Sequence, residues 1–392
     1  MQGKAQKQLE DMHNRIISVG SANDSFLKGK LSLIFYLYHQ YQLSNAAATK
    51  NYAVQLLHEV LDGLNGEHPR LYGASFGNGG AGMAYILNYL QQRKFITFNV
   101  KRELAILDKY LLEMAVTQIE EDGIDFFNGG LGILHYLSGR EQDPTIARYR
   151  DVLVEKLYQR AVKQPEGWWW ANSYSYIRTN ERQYINFGLS RGQSGLLLIL
   201  LKLLGHSSKN EMIEEMVTQG VRFIKKHKMD VDIGNDDYSF FPLIIKQDTN
   251  EFSASNRMAW CYGDLNQVLL FSRAGKLLND EPLTKLAQLI GLHTLMRKDT
   301  RSTLIADSGF CHGSSGVAQS YKILYEASGD AGYLQGYHYW IGKTTELLDK
   351  DLEAGFYEGR EHDLLEGLIG VAFTLMSFLS HEKLDWSEAL LL

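Results

Sequence analysis

"GQSGLLLILLKLL", residues 192 to 204, opens with two glycines three residues apart and continues as a nine-residue apolar run broken only by Lys202. The run does not alternate, so it is not a strand with one wet face, and it is too long for a typical buried strand. It reads as a helix buried nearly all round. Six further stretches follow the same plan: "GKLSLIFYLY" from Gly29, "GGAGMAYILNYL" from Gly79, "GGLGILHYL" from Gly129, "GDLNQVLLFSRA" from Gly263, "GSSGVAQSYKIL" from Gly313 and "GLIGVAFTLMSFL" from Gly367. Successive first glycines are 50, 50, 63, 71, 50 and 54 residues apart. A spacing this regular marks an internal repeat.

Between the apolar runs lie stretches such as "RELAILDKYLLEMAVTQIEED" and "EMIEEMVTQGVRFIKKH", whose apolar residues recur every three or four positions. Each repeat therefore reads as an outer amphipathic helix, a glycine loop and an inner apolar helix. One such pair cannot bury its inner helix, but a closed set can. The expected fold is all-α: an α/α toroid of seven inner and seven outer helices, with residues 1–392 as a single domain. An open α-solenoid is the competing arrangement, disfavoured because the inner runs are so apolar. The glycines are expected at the inner-helix N-termini, where crowding and positive φ favour them. The longer spacings hold two insertions, "PEGWWWANSYSYIRTNERQY" (165–184) and "KMDVDIGNDDYSFFPLIIKQDTNEFSASN" (228–256). Their aromatic and polar content is that of loops able to grip a substrate.

The composition sets limits. Hydrophobic residues make up 45% and charged residues 22% of the chain, the balance of an ordinary globular protein. A formal net charge of −6, with no basic block, argues against a nucleic-acid partner. No run is long enough for a transmembrane segment, and the N-terminus lacks the apolar core of a signal peptide. A cytoplasmic protein is expected, in which thiols stay reduced.

The 2 cysteines occupy equivalent places in adjacent repeats, in "AWCYGDLN" and "GFCHGSSG". Cys261 and Cys311 each stand two residues before a repeat glycine, and His312 follows directly. Two thiolates and an imidazole form a donor set that suits Zn²⁺, and three ligands leave a fourth tetrahedral position open for chemistry. The plain alternative is two small buried hydrophobes and a helix-capping histidine.

The "WCYG" and "CHGSSG" segments, set in the seven-fold glycine ladder, resemble the lanthionine synthetase C-like (LanC) family, the cyclases of lanthipeptide biosynthesis, over essentially the whole chain. The resemblance implies zinc held by Cys261, Cys311 and His312. It also implies addition of a peptide cysteine thiolate, seated at the open zinc position, to dehydroalanine or dehydrobutyrine, giving a thioether. The expected partners are a dehydrated precursor peptide, leader plus core, and a dehydratase of the same pathway.

The same resemblance singles out Asp125 in "DFFNGG", Arg257 four residues before Cys261, and Tyr262 directly after it. Taken alone, an Asp in a turn is usually a cap and a loop Arg is usually solvated. Repeat four departs from the family pattern, because Arg191 stands where the family has a histidine that is the candidate acid–base group. A guanidinium, with pKa above ~12, does not shuttle protons near neutrality but can stabilise an enolate. Three readings follow: an engineered replacement of histidine, a natural cyclase using Arg191, Tyr262 or water, or a member that binds peptide or thiol without cyclising it. Zinc prenyltransferases and barrel glycosidases are further toroids. The former do not use an adjacent Cys-His pair, and the latter need two facing carboxylates.

Overall fold

The structure is a computed structural model that describes residues 1–21, 23–64, 70–140, 143–173, 184–247, 249 and 251–392. Among these, helices alternate between two types. The amphipathic type comprises α1 (Gln2–Ser18), α3 (Ala47–Gly63), α5 (Lys101–Glu120), α7 (Pro144–Arg160), α9 (Asn210–Lys226), α11 (Glu281–Met296) and α14 (Ala331–Glu353). The buried type comprises α2 (Lys30–Ser44), α4 (Gly80–Gln92), α6 (Gly130–Ser138), α8 (Gln193–Leu203), α10 (Asp264–Leu277), α13 (Ser314–Ser328) and α15 (Leu368–Leu379). A single turn, α12 (Thr300–Thr303), precedes the loop to α13. Helix α9 buries Ile213, Met216, Val217, Gly220, Val221 and Ile224, one face at helical spacing, whereas α8 is buried at every position except Lys202.

The two types start differently. Outer helices α7, α11 and α14 are capped by the side chains of Asp143, Asp280 and Asp330, which accept hydrogen bonds from first-turn N–H groups. All seven inner helices start after a glycine: Gly29, Gly79, Gly129, Gly192, Gly263, Gly313 and Gly367. In four repeats the first helical N–H donates back to a carbonyl seven residues earlier: Lys30 to Asn23, Gly80 to Gly73, Gly130 to Gly123 and Ser314 to Asp307. The loop is thereby drawn tight. A Cβ on Gly129 would overlap the Gly123 carbonyl oxygen, and one on Gly192 that of Asn186.

Crowding is thus the reason for glycine, and the expected positive φ is corrected. Six of the seven are extended, and only Gly263 has a left-handed φ, at 108°. Gly263 belongs to one of the two repeats that lack the second glycine, the other carrying Ser32 in its place. In repeats three, four and seven that glycine packs against the carbonyl six residues before it, as Gly195 does against Leu189. Asn266 instead donates its Nδ2 to the Trp260 carbonyl at 2.8 Å.

The chain divides into two compact units. The first, residues 1–73, 77–101 and 305–392, holds α1 to α4 and α13 to α15. In it α15 packs against α1, α2 and α13, so the last repeat abuts the first. Main-chain bonds join the glycine loops: Cys311 N–H to Leu365 C=O at 2.9 Å, Leu364 N–H to Leu27 C=O at 2.7 Å, and Leu27 N–H to Gly77 C=O at 3.0 Å.

The second unit, residues 74–76 and 102–304, holds inner helices α6, α8 and α10, with α8 packed on both neighbours. The same loop ladder recurs there, from Phe126 N–H to Ser190 C=O at 3.2 Å and from Leu189 N–H to Cys261 C=O at 2.8 Å.

Both insertions lie in this second unit and carry short strands. β1 (Val162–Gln164) and β2 (Gly167–Trp169) form a hairpin, while β3 (Tyr184–Asn186), β4 (Ile244–Lys246) and β5 (Phe252–Ser253) form an antiparallel sheet in that order. The tryptophans do not face solvent as a gripping loop would. Trp168, Trp169 and Trp170 are all buried, β2 packs on α9, and Trp170 Nε1 donates to the Leu157 carbonyl at 2.8 Å. Indole area placed against α7 and α9 holds the insertion down. Residues 174–183 of that stretch lie outside the described residues.

Candidate metal centre and active site

Cys261 is placed by main chain. Its carbonyl accepts from Leu189 N–H, and the preceding Trp260 is fully buried, with its carbonyl held by Asn266. Cys311 is fixed through its own N–H on Leu365, behind a fully buried Phe310. Both cysteines are buried and neither is in a disulfide, while His312 is part-exposed. Cys261 Sγ, Cys311 Sγ and a His312 ring nitrogen all lie within 4.8 Å of one another. Cys311 Sγ is 3.8 Å from His312 Nε2. Tetrahedral zinc with Zn–S near ~2.3 Å and Zn–N near ~2.0 Å separates such ligands by roughly 3.6 Å, so the donor set fits that ion in type and spacing.

Sequence reasoning missed one neighbour. Glu366 Oε1 lies 3.3 Å from His312 Nδ1, the nitrogen turned away from Cys311. The hydrogen bond from His312 holds the Glu366 carboxyl below its ordinary range, against a smaller opposing effect of burial. A pattern in the sequence marks this position. Arg191, Tyr262 and His312 each stand immediately before the first glycine of a repeat, and so does Glu366.

Asp125 is fully buried, and its Oδ1 accepts from Phe127 N–H at 2.8 Å, Asn128 N–H at 2.7 Å and Asn128 Nδ2 at 3.2 Å. This is the ordinary turn function of an Asp. Asp363 of repeat seven does the same for Leu365 and Glu366. What distinguishes Asp125 is its other oxygen, because Oδ2 faces Arg191 Nη1 at 3.5 Å. Burial raises the pKa of Asp125, and Arg191 is the first of the effects that oppose the rise. Asn172 Nδ2 donates to the Arg191 carbonyl at 2.7 Å and secures that loop.

Arg257 is engaged elsewhere: its Nη1 donates to the Leu304 carbonyl at 2.9 Å. Tyr262 is part-buried, and glycine at position 188 lets the main chain there pass close to it, since a Cβ on Gly188 would overlap the Cys261 carbonyl oxygen. The structure therefore groups Cys261 with Cys311 and His312, and Asp125 with Arg191. Arg257 is tied to the loop after α12.

The family model "Lanthionine synthetase C-like protein" matches residues 20–391. The chain belongs to that family. Among solved structures, "Nisin cyclase" matches with a TM-score of 0.77 and 19% identity, covering 99% of this chain and 96% of that one. A second match, "Crystal structure of sugar epimerase from ruminal bacterium", has a TM-score of 0.47 and 9% identity, covering 98% of this chain and 100% of that one. No curated protein matches. The likeness to nisin cyclase shows the fold of the family, an α/α toroid, in place of an open solenoid. Among the described residues no helix is long and apolar enough to cross a membrane.

Proposed function

We propose that this chain closes thioether rings in a dehydrated precursor peptide, adding cysteine thiolates to dehydroalanine or dehydrobutyrine. The reading is carried by the Cys261, Cys311 and His312 donor set, gathered within 4.8 Å in a chain of the lanthionine synthetase C-like family. Zinc held there would lower the pKa of a peptide thiol from its ordinary ~8.5, so that the thiolate prevails near neutrality.

The remaining steps fall to the chain's own side chains. Carbon–sulfur bond formation moves the alkene electrons onto the adjacent carbonyl oxygen as an enolate. Arg191 is the donor suited to that charge, aimed by Asp125 Oδ2 at 3.5 Å. A guanidinium hardly releases a proton near neutrality, so the proton taken up at the α-carbon comes from Tyr262 or from water. Arg257, bonded to the Leu304 carbonyl, steadies the strand of chain that leads to Cys261.

The whole chain, residues 1–392, acts as one domain. It works in the reducing cytoplasm on peptide delivered by a dehydratase, leader and core together. A second reading is binding of a thiol peptide without turnover, and it is favoured by the same Arg191, which stands where the family has histidine.

The deciding experiment combines zinc analysis with mass spectrometry of a dehydrated peptide after thiol alkylation. Cyclisation leaves the peptide mass unchanged and removes one alkylatable thiol per ring. A zinc-loaded chain that binds the peptide yet leaves every thiol alkylatable supports binding without turnover and refutes the cyclase reading.

A further inference from the structure

The geometry points to Glu366 as a positioning residue of the metal centre: its carboxylate holds a proton on His312 Nδ1, so that Nε2 is the nitrogen offered to the ion. The inference rests on the zinc reading above and names a residue outside the three ligands.

Two observations and one general property of metal-bound histidines carry it. Glu366 Oε1 lies 3.3 Å from Nδ1, and the other ring nitrogen is the one 3.8 Å from Cys311 Sγ. A carboxylate accepts but does not donate, so a neutral imidazole beside it is held as the Nδ1–H tautomer, leaving the Nε2 lone pair bare.

The carboxylate is also delivered by built structure rather than by a loose side chain. Asp363 Oδ1 accepts from Leu365 N–H and Glu366 N–H, both at 2.9 Å, which shapes the turn carrying Glu366. The carbonyl of Leu365 then takes the N–H of Cys311 at 2.9 Å. The ligand pair Cys311-His312 and the carboxylate are thus clamped together by main-chain and turn bonds.

Finally, a ligating histidine whose other nitrogen is fixed by a carboxylate loses less orientational freedom on binding. Removing such a partner typically weakens metal affinity by about 10–100-fold.

The test compares the full chain with Glu366→Gln and Glu366→Ala. Zinc affinity is measured by competition with a chromophoric chelator, and the His312 tautomer by ¹⁵N NMR of the metal-free proteins at pH ~8, above the ordinary histidine pKa. The parent should show Nδ1–H. Glu366→Ala should lose that preference and weaken zinc by about 10–100-fold. Glu366→Gln, whose amide oxygen still accepts, should keep most of both, and the metal-free melting temperatures of all three should agree.

An Nε2–H tautomer in the parent overturns the inference, as does zinc affinity in Glu366→Ala equal to that of the parent. A glutamine variant as weak as alanine overturns the positioning role in favour of simple charge. If the parent holds no zinc at all, the metal reading fails together with this one, so the two failures are told apart.

Discussion

Asp125 spends its two carboxylate oxygens in different ways: Oδ1 closes its own turn, and Oδ2 faces the Arg191 guanidinium at 3.5 Å from the next repeat. The pair has the geometry in which a carboxylate would orient an imidazole, with a guanidinium in the imidazole's place. Arg191→His should therefore raise cyclisation by the general-acid contribution, about 10²–10⁴-fold, and add a titration near pH ~6.5 to the rate profile. Asp125→Asn should reduce the rate far more in the histidine background than in the chain as it stands. Single-turnover assays on a dehydrated peptide read all four combinations, and equal effects of Asp125→Asn in both backgrounds would show that the two positions do not work as a pair.

The burial of Asp125 makes a separate prediction about stability and pH. Its folded pKa is raised, mainly by burial. The folded state therefore keeps its proton to higher pH than the unfolded chain. The associated stability is complete below the unfolded value and is lost as pH rises through the folded one. Asp125→Asn keeps the acceptor for Phe127 and Asn128 but does not titrate. Its stability relative to the parent should rise across that acidic window and level off above it. Urea melts at stepped pH measure the difference, and a stability of Asp125→Asn that falls relative to the parent as pH rises would contradict the burial effect.

Zinc should bind at about one per chain, and Cys261→Ala or Cys311→Ala should abolish it while far-ultraviolet circular dichroism stays unchanged. The reason is that the core is built by inner helices such as α8 and α15, buried at nearly every position, with no help from the metal. Unfolding of the parent by mild chelation would mark the zinc as structural instead.

Trp170 is 1% exposed and donates its indole N–H to Leu157. Replacing it with alanine empties that volume and leaves a carbonyl without its donor. The expected loss is about 3–5 kcal/mol of stability, read from denaturant melts. A substrate-gripping tryptophan would instead change peptide affinity with little effect on the melt.

The alternation of helix types was legible because it is written in composition: a run such as residues 196–204 has no polar face to expose, and α9 has one clear face. The zinc trio was legible because Cys261 and Cys311 hold equivalent places in adjacent repeats. What escaped is what tertiary proximity decides. Crowding and positive φ are both expected at the glycines; the crowding is there, but Gly129 and Gly192 are extended, and the carbonyls that require them lie six residues away in sequence and are brought back by the turn. The strands β1 to β5 are two or three residues long, too short to show a period. Which way the indoles of residues 168–170 point is settled by α7 and α9, not by their own stretch. Nothing in the stretch around Glu366 says that His312 lies beside it; only comparison with the residues ahead of the other repeat glycines marks the position.

Within each unit, main-chain bonds tie one glycine loop to the next, and the residue just ahead of each repeat's first glycine is at least partly open to solvent in all seven cases. Those seven residues are Lys28, Asn78, Asn128, Arg191, Tyr262, His312 and Glu366. The scaffold thus behaves like a type-setter's frame, held by the main chain while the letters at these places differ. A substitution at one of these places changes what the loop presents while the main-chain bonds between loops keep their donors and acceptors. An arginine at position 191 is the kind of spelling change that this frame tolerates.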